Sequence, residues 1–176
     1  MQHPDYKGRA ALLAAAAGLC LATTSCGSDG DGVGFETGPL MRPGDDCSRC
    51  HAEGSPYPSA PRWSLAGTVF PKPDSPANEG VAGVTVTVTD DAGALVTTLI
   101  SNEVGNFYTA APLPKPFRVA LEYQGKRIEM PCPPPAGNCG ACHSLPPIGG
   151  PLGRIAVPQG LTNLTGDFDC ATWSRH

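Results

Sequence analysis

Charge is scarce in this chain. Only 16% of its 176 residues are Asp, Glu, Lys or Arg, and no run of basic residues forms a stripe. That excludes a nucleic-acid surface of the usual electrostatic kind. The formal net charge is −4. Loss of residues 1–25 would remove Asp5, Lys7 and Arg9 and make it about −5. Helix-forming runs are missing after that segment, and the chain carries 22 glycines and 20 prolines. This excludes a helical bundle and points to a loop-rich β protein of one domain's length. No later stretch is apolar enough to span a bilayer. Histidine is scarce as well, with His3, His51, His143 and His176 the only four.

The first 25 residues read as a targeting segment. Lys7 and Arg9 form a basic start, and residues 10–22 form an apolar run of alanine and leucine too short for a membrane span. Thr23-Thr24-Ser25-Cys26 follows, small residues ahead of a cysteine. This resembles the lipobox of bacterial lipoproteins, with Thr23 where leucine is usual. The resemblance implies a signal peptide over 1–25, acylation of Cys26 and a lipid-anchored protein of the cell envelope, with the outer membrane expected as its destination. Ordinary signal-peptide cleavage is the alternative. Residues 26–45, rich in Gly, Asp, Ser and Pro, are expected to be a flexible tether.

Two short segments repeat one pattern: Cys47-Ser48-Arg49-Cys50-His51 and Cys139-Gly140-Ala141-Cys142-His143. The chemistry explains the spacing. Two thiols three positions apart can each bond one vinyl group of a single porphyrin, and a histidine beside the second thiol can reach the iron. Both segments resemble the attachment signature of c-type cytochromes. The resemblance implies two covalent haem c groups, held by Cys47, Cys50, Cys139 and Cys142, with His51 and His143 as proximal iron ligands. The alternatives are a zinc site of those four cysteines, or disulfides. Export favours haem, because zinc-cysteine sites belong mostly to reducing compartments.

Between the motifs the chain reads as strands. Trp63–Phe70, Val81–Thr89, Ala94–Ser101, Phe107–Ala110, Phe117–Tyr123 and Arg127–Met130 are six expected strands, and 152–157 a seventh. Val84, Val86 and Val88 alternate with Thr85, Thr87 and Thr89, giving one apolar and one wet face. Gly83-Val84-Thr85-Val86, the Asp91-Ala92-Gly93 turn and Gly105-Asn106-Phe107 resemble the carboxypeptidase-regulatory-like, or transthyretin-like, domains. That resemblance, over about residues 65–130, implies an Ig-like antiparallel β-sandwich serving as scaffold. The expected organisation is a first haem-binding segment at 46–62, the sandwich at 63–131, and a second haem-binding segment and tail at 132–176. With simple up-and-down alternation the start of the first strand and the end of the sixth share a pole. Both motifs are therefore expected at one end of the sandwich.

The distal iron ligands are open. His3 lies in the targeting segment, so Met130 and His176 are the candidates, with Met41 in the tether less suited. Met130 also shares a strand face with Ile128 and can equally be core. Cys132 and Cys170 remain and pair on paper as a disulfide across the second motif. Asp167 and Asp169 offer a weak calcium-type cluster. The expected function is one-electron transfer by a dihaem c-type cytochrome lipoprotein, with redox proteins of the envelope and a membrane as partners. An electron carrier fits better than a catalyst, because no distal acid–base set is assignable, although Arg49, Arg62 and Arg154 are present. The alternative is a surface binding or adhesion sandwich with a structural zinc or disulfides.

Overall fold

A computed structural model of the chain describes residues 38–147, 151, 153–161 and 170. Residues 1–37, with the expected signal peptide and Cys26, lie outside the described residues, as do Asp167, Asp169 and His176.

Among the described residues seven strands form two sheets. They are β1 (Leu65–Phe70), β2 (Thr85–Asp90), β3 (Leu95–Ile100), β4 (Asn106–Thr109), β5 (Phe117–Tyr123), β6 (Lys126–Glu129) and β7 (Ile155–Ala156). One sheet has the order β4-β1-β7, the other β3-β2-β5-β6. The chain is therefore mainly β, a two-sheet sandwich. Four pairings are antiparallel, whereas β7 joins β1 in parallel.

The elements follow from local chemistry. Val84, just before β2, and Val86 and Val88 within it are fully buried and the threonines between them are half-buried, as a strand with one core face requires. These valines pack with Leu65, Val69, Phe107, Phe117, Val119, Leu121 and Val157 in the core. The β2–β3 turn is closed by Asp90, whose Oδ1 accepts from Ala94 N–H at 2.8 Å. Gln124 and Gly125 both have positive φ, +49° and +73°. Two such residues make the tight turn that matches strand twist, so β5 and β6 form a hairpin. Gly105 is required twice over. Its φ is +81°, and a Cβ there would stand 2.4 Å from the Val69 carbonyl oxygen.

The strand limits differ from the sequence expectation where backbone groups have other duties. Trp63 N–H bonds the His51 carbonyl at 3.1 Å, so β1 starts only at Leu65. Val81 N–H bonds the Val69 carbonyl at 2.8 Å and Gly83 sits at φ +75°, which delays β2 to Thr85. The seventh strand is the two residues Ile155–Ala156.

Residues 38–45 correct the expected tether. The carbonyls of Pro39 and Met41 accept from Asn102 Nδ2 (2.6 Å) and Asn106 Nδ2 (2.8 Å). Gly44 N–H donates to Thr68 Oγ1 at 2.8 Å, and Pro43 is fully buried. Asparagine amides thus satisfy the carbonyls of an irregular segment, which lets it seat on the sandwich. The folded body includes this segment, ahead of the expected boundary at 46.

Phe117 is 1% exposed and packs in the core cluster. Phe117→Ala is expected to cost about 3–5 kcal/mol of stability, read as a lower urea midpoint at unchanged slope.

Candidate functional site

The two cysteine motifs fold as near copies. In the first, Cys47 is followed by a single helical turn, Ser48–His51. Cys50 N–H and His51 N–H both return to the Cys47 carbonyl, at 3.3 and 2.9 Å. In the second, Cys139–Ala141 is a 3-10 turn, and Cys142 N–H and His143 N–H return to the Cys139 carbonyl, at 3.2 and 2.9 Å. Each first thiol lies near the carbonyl two residues before it. Cys47 Sγ is 3.7 Å from the Asp45 oxygen, and Cys139 Sγ is 3.8 Å from that of Gly137.

The histidines are held alike. His51 Nδ1 lies 2.7 Å from the Pro61 carbonyl oxygen, and His143 Nδ1 lies 3.0 Å from that of Gly153. A carbonyl only accepts, so Nδ1 carries the proton in both rings. Nε2 then keeps its lone pair, the arrangement that supports a metal-binding imidazole from behind. Burial lowers the His143 pKa, against a smaller opposing effect of the Gly153 carbonyl. The ring is therefore neutral at neutral pH. His51 is buried, and its ring stacks on Trp63 at 5.1 Å between centroids; Trp63 in turn meets Tyr108 at 4.5 Å.

Arg62 fastens the first turn. Its Nη1 donates to Ser55 Oγ (2.7 Å), the Ala52 carbonyl (2.7 Å) and the Cys50 carbonyl (3.1 Å). That role occupies one of the arginines considered for a catalytic distal set. Arg154 is buried with its guanidinium 4.5 Å above the Phe70 ring, and Arg49 is exposed.

The motifs are brought together on one edge of β1. Gly137 enters that edge, taking a hydrogen bond from Ala66 N–H at 2.8 Å, and Asn138 bridges Ala66 in parallel. The chain then leaves for the second motif and returns to the same edge as β7, opposite Val69 and Phe70. Asn138 Nδ2 donates to Asp46 Oδ1 at 2.5 Å and to Ser48 Oγ at 2.8 Å. A cavity of about 220 Å³ opens beside the first motif, lined among others by Cys47, His51, Trp63, Ala66, Gly137 and Asn138. The residues present fit a porphyrin in kind: cysteines at the required spacing in each turn, although Cys50 is held in a disulfide, a histidine with Nε2 as its lone-pair nitrogen, and at the first turn a partly apolar hollow.

The cysteines differ in state. Cys47, Cys139 and Cys142 are free thiols. Cys50 is disulfide-bonded. Cys132 and Cys170 form a disulfide with Cα atoms 5.4 Å apart. Among the described residues no three His, Cys, Asp or Glu side chains converge as a metal-holding group.

For the distal ligands, Met130 extends the β5–β6 ladder through its N–H to the Val119 carbonyl at 2.9 Å, in the sheet that does not carry the motifs. Met41 is engaged through its carbonyl beside Asn106, and His176 lies outside the described residues. The sequence reading missed Asp46, Asn138, Trp63 and the carbonyls of Pro61 and Gly153. One signal was visible: an acid or its amide stands immediately before each first cysteine.

Burial, then the charges of Asp46 and Asp45, pushes the Cys47 thiol up from 9.0 to about 11. Burial, then the neighbouring Cys47 and Cys142 sulfurs, pushes Cys139 up from 9.0 to about 12. Both folded values lie above the unfolded one. The stability these protonated thiols contribute is therefore complete below pH 9 and is lost as pH rises toward 11–12. In haem-free protein, iodoacetamide labelling of Cys47 at pH 8 is expected to run about 100-fold slower than that of an unperturbed thiol, and to accelerate steadily to pH 11. Peptide mass spectrometry over a pH series reads this; a plateau near pH 9 would contradict it. No protein-family model, curated protein or solved structure matches this chain.

Proposed function

We propose that this chain is a dihaem c-type cytochrome that passes single electrons at the bacterial cell envelope. The observation that carries the reading is the duplicated turn. Twice, a paired-cysteine turn ends in a histidine whose Nδ1 is tied to a backbone carbonyl, with Nε2 as the lone-pair nitrogen. Structural cysteine pairs need no such histidine, and its support from behind is what an iron ligand needs.

Cys47 and Cys50 fix the first haem, and Cys139 and Cys142 the second. Each attachment would join a cysteine thiol to a haem vinyl group as a thioether, the S–H adding across the double bond with nothing leaving. Cys50 must first be released from its disulfide. A thiol reductant supplies the two electrons, becoming a disulfide as the two protein sulfurs become thiols. When bound, each haem supplies a one-electron iron couple.

The chain's own residues hold the arrangement. His51 and His143 would each hold an iron through Nε2. Pro61 and Gly153 keep the ring protons on Nδ1. Arg62 fixes the end of the first turn, and Trp63 fixes the His51 ring plane. Contact between the two turns supports an electron step from one haem to the other within a protomer. The sandwich is the rigid scaffold, in the manner of the transthyretin-like domains it resembles. An acylated Cys26 would supply the membrane anchor, and soluble or membrane-bound redox proteins of the envelope would be the partners.

One observation favours the second reading, a surface binding module stapled by disulfides: the disulfide at Cys50. The two readings separate cleanly. After expression in a host that matures c-type haem, the denatured, reduced protein is expected to give a haemochrome spectrum and an intact mass with two covalent haems. Cys50→Ala is expected to remove up to one of them. Protein without haem, or with zinc alone, would overturn the cytochrome reading.

A further inference from the structure

The two turns do not merely lie near each other; the second supplies part of the first. Asp46 and Asn138 hold equivalent places, each just before a first cysteine. Asp46 Oδ1 accepts Ser48 N–H at 2.8 Å and Ser48 O–H at 2.7 Å, which shapes the entry to the first turn. The third donor to that oxygen is Asn138 Nδ2, at 2.5 Å, and the same amide nitrogen reaches Ser48 Oγ. The amide can face only one way. Turned over, its oxygen would meet the carboxylate, acceptor against acceptor.

The backbones are as close as the side chains. A Cβ on Gly140, inside the second motif, would stand 2.5 Å from the Asp45 carbonyl oxygen. A Cβ on Gly137 would stand 1.7 Å from that of Ser64. Gly137 and Asn138 also wall the cavity beside His51. The surface against which a group bonded to Cys47 must rest is thus built from the lead-in to Cys139.

We infer that Asn138, which belongs to the second motif, is a positioning residue for the first. It holds Asp46 and Ser48 so that Cys47 and His51 face one porphyrin, and loading of the first site depends on the second turn being folded. This rests on the cytochrome reading. The coupling runs through a donor–acceptor pair, so exchanging the partners should preserve it.

The test is haem occupancy by site, measured on full-length protein from a host that matures c-type haem. Peptides bearing Cys47 and Cys50 are quantified against those bearing Cys139 and Cys142, and the midpoint potential of each haem is recorded. N138D sets two carboxylates against each other, and N138S removes the reach to Asp46. Both are expected to lower haem on the Cys47–Cys50 peptide by about ten-fold, the scale of losing a hydrogen bond to a charged group, and to shift the potential of whatever first-site haem remains. The Cys139–Cys142 peptide should fall much less. The double exchange D46N/N138D restores a donor opposite an acceptor and is expected to recover most of the first-site loading. Unchanged first-site loading, loss confined to the second site, or equal loss at both sites without recovery in the exchange would overturn the inference. Wild-type protein without any haem would instead sink the cytochrome reading beneath it.

Discussion

The structure depends on β1 being enclosed on every side. All six residues of Leu65–Phe70 are buried. Leu65 and Val69 face the core. On the other face Ala66 lines the cavity, Thr68 is bonded to Gly44 and Asn106, and Phe70 lies under Arg154. One edge is taken by β4, and the other is shared between Asn138 and β7. An edge strand with open backbone groups would need other cover. Here the segments that carry the cysteine motifs supply that cover. The candidate site is therefore part of what closes the sheet.

Sharing one edge between two incoming segments has a chemical consequence. The chain pairs with β1 at residues 137–138, leaves it, and pairs again at 155–156. The excursion between these anchor points contains the whole second motif, and its return passes Gly153, whose carbonyl meets the His143 ring. The first motif has a parallel device in the segment from His51 to Pro61, pinned by Arg62 and by Trp63 N–H on the His51 carbonyl. Two short loops, each tied at both ends, thus orient two imidazoles without a long helix. Burial explains the reluctance of Cys47 and Cys139 to ionise, reinforced at Cys47 by the Asp46 and Asp45 charges and at Cys139 by the neighbouring Cys47 and Cys142 sulfurs.

Much of the sandwich was legible because local rules carried it. The valine–threonine alternation announced β2, the Asp91-Ala92-Gly93 turn announced its end, and Phe117–Tyr123 was read with its limits unchanged. Errors gathered where a backbone group serves a distant partner. Trp63 leaves the first strand because its N–H is spent on the His51 carbonyl. Residues 38–45 read as linker because glycine and proline signal irregular backbone in tethers and in packed loops alike. Only the asparagines at 102 and 106, far along the chain, distinguish the two.

The sequence by itself determined the chemistry on offer: paired thiols with an adjacent histidine, written twice, and enough alternating strand to build a scaffold. Spacing within five residues is a local property, so it survives any fold. What only the tertiary structure decided is the relation between the two copies. The Asp46–Asn138 contact spans 92 positions, and the carbonyls behind the two histidines come from loops with no shared sequence mark. Such contacts depend on which edge of which strand each segment finds, and that is fixed by the closing of the sandwich around β1.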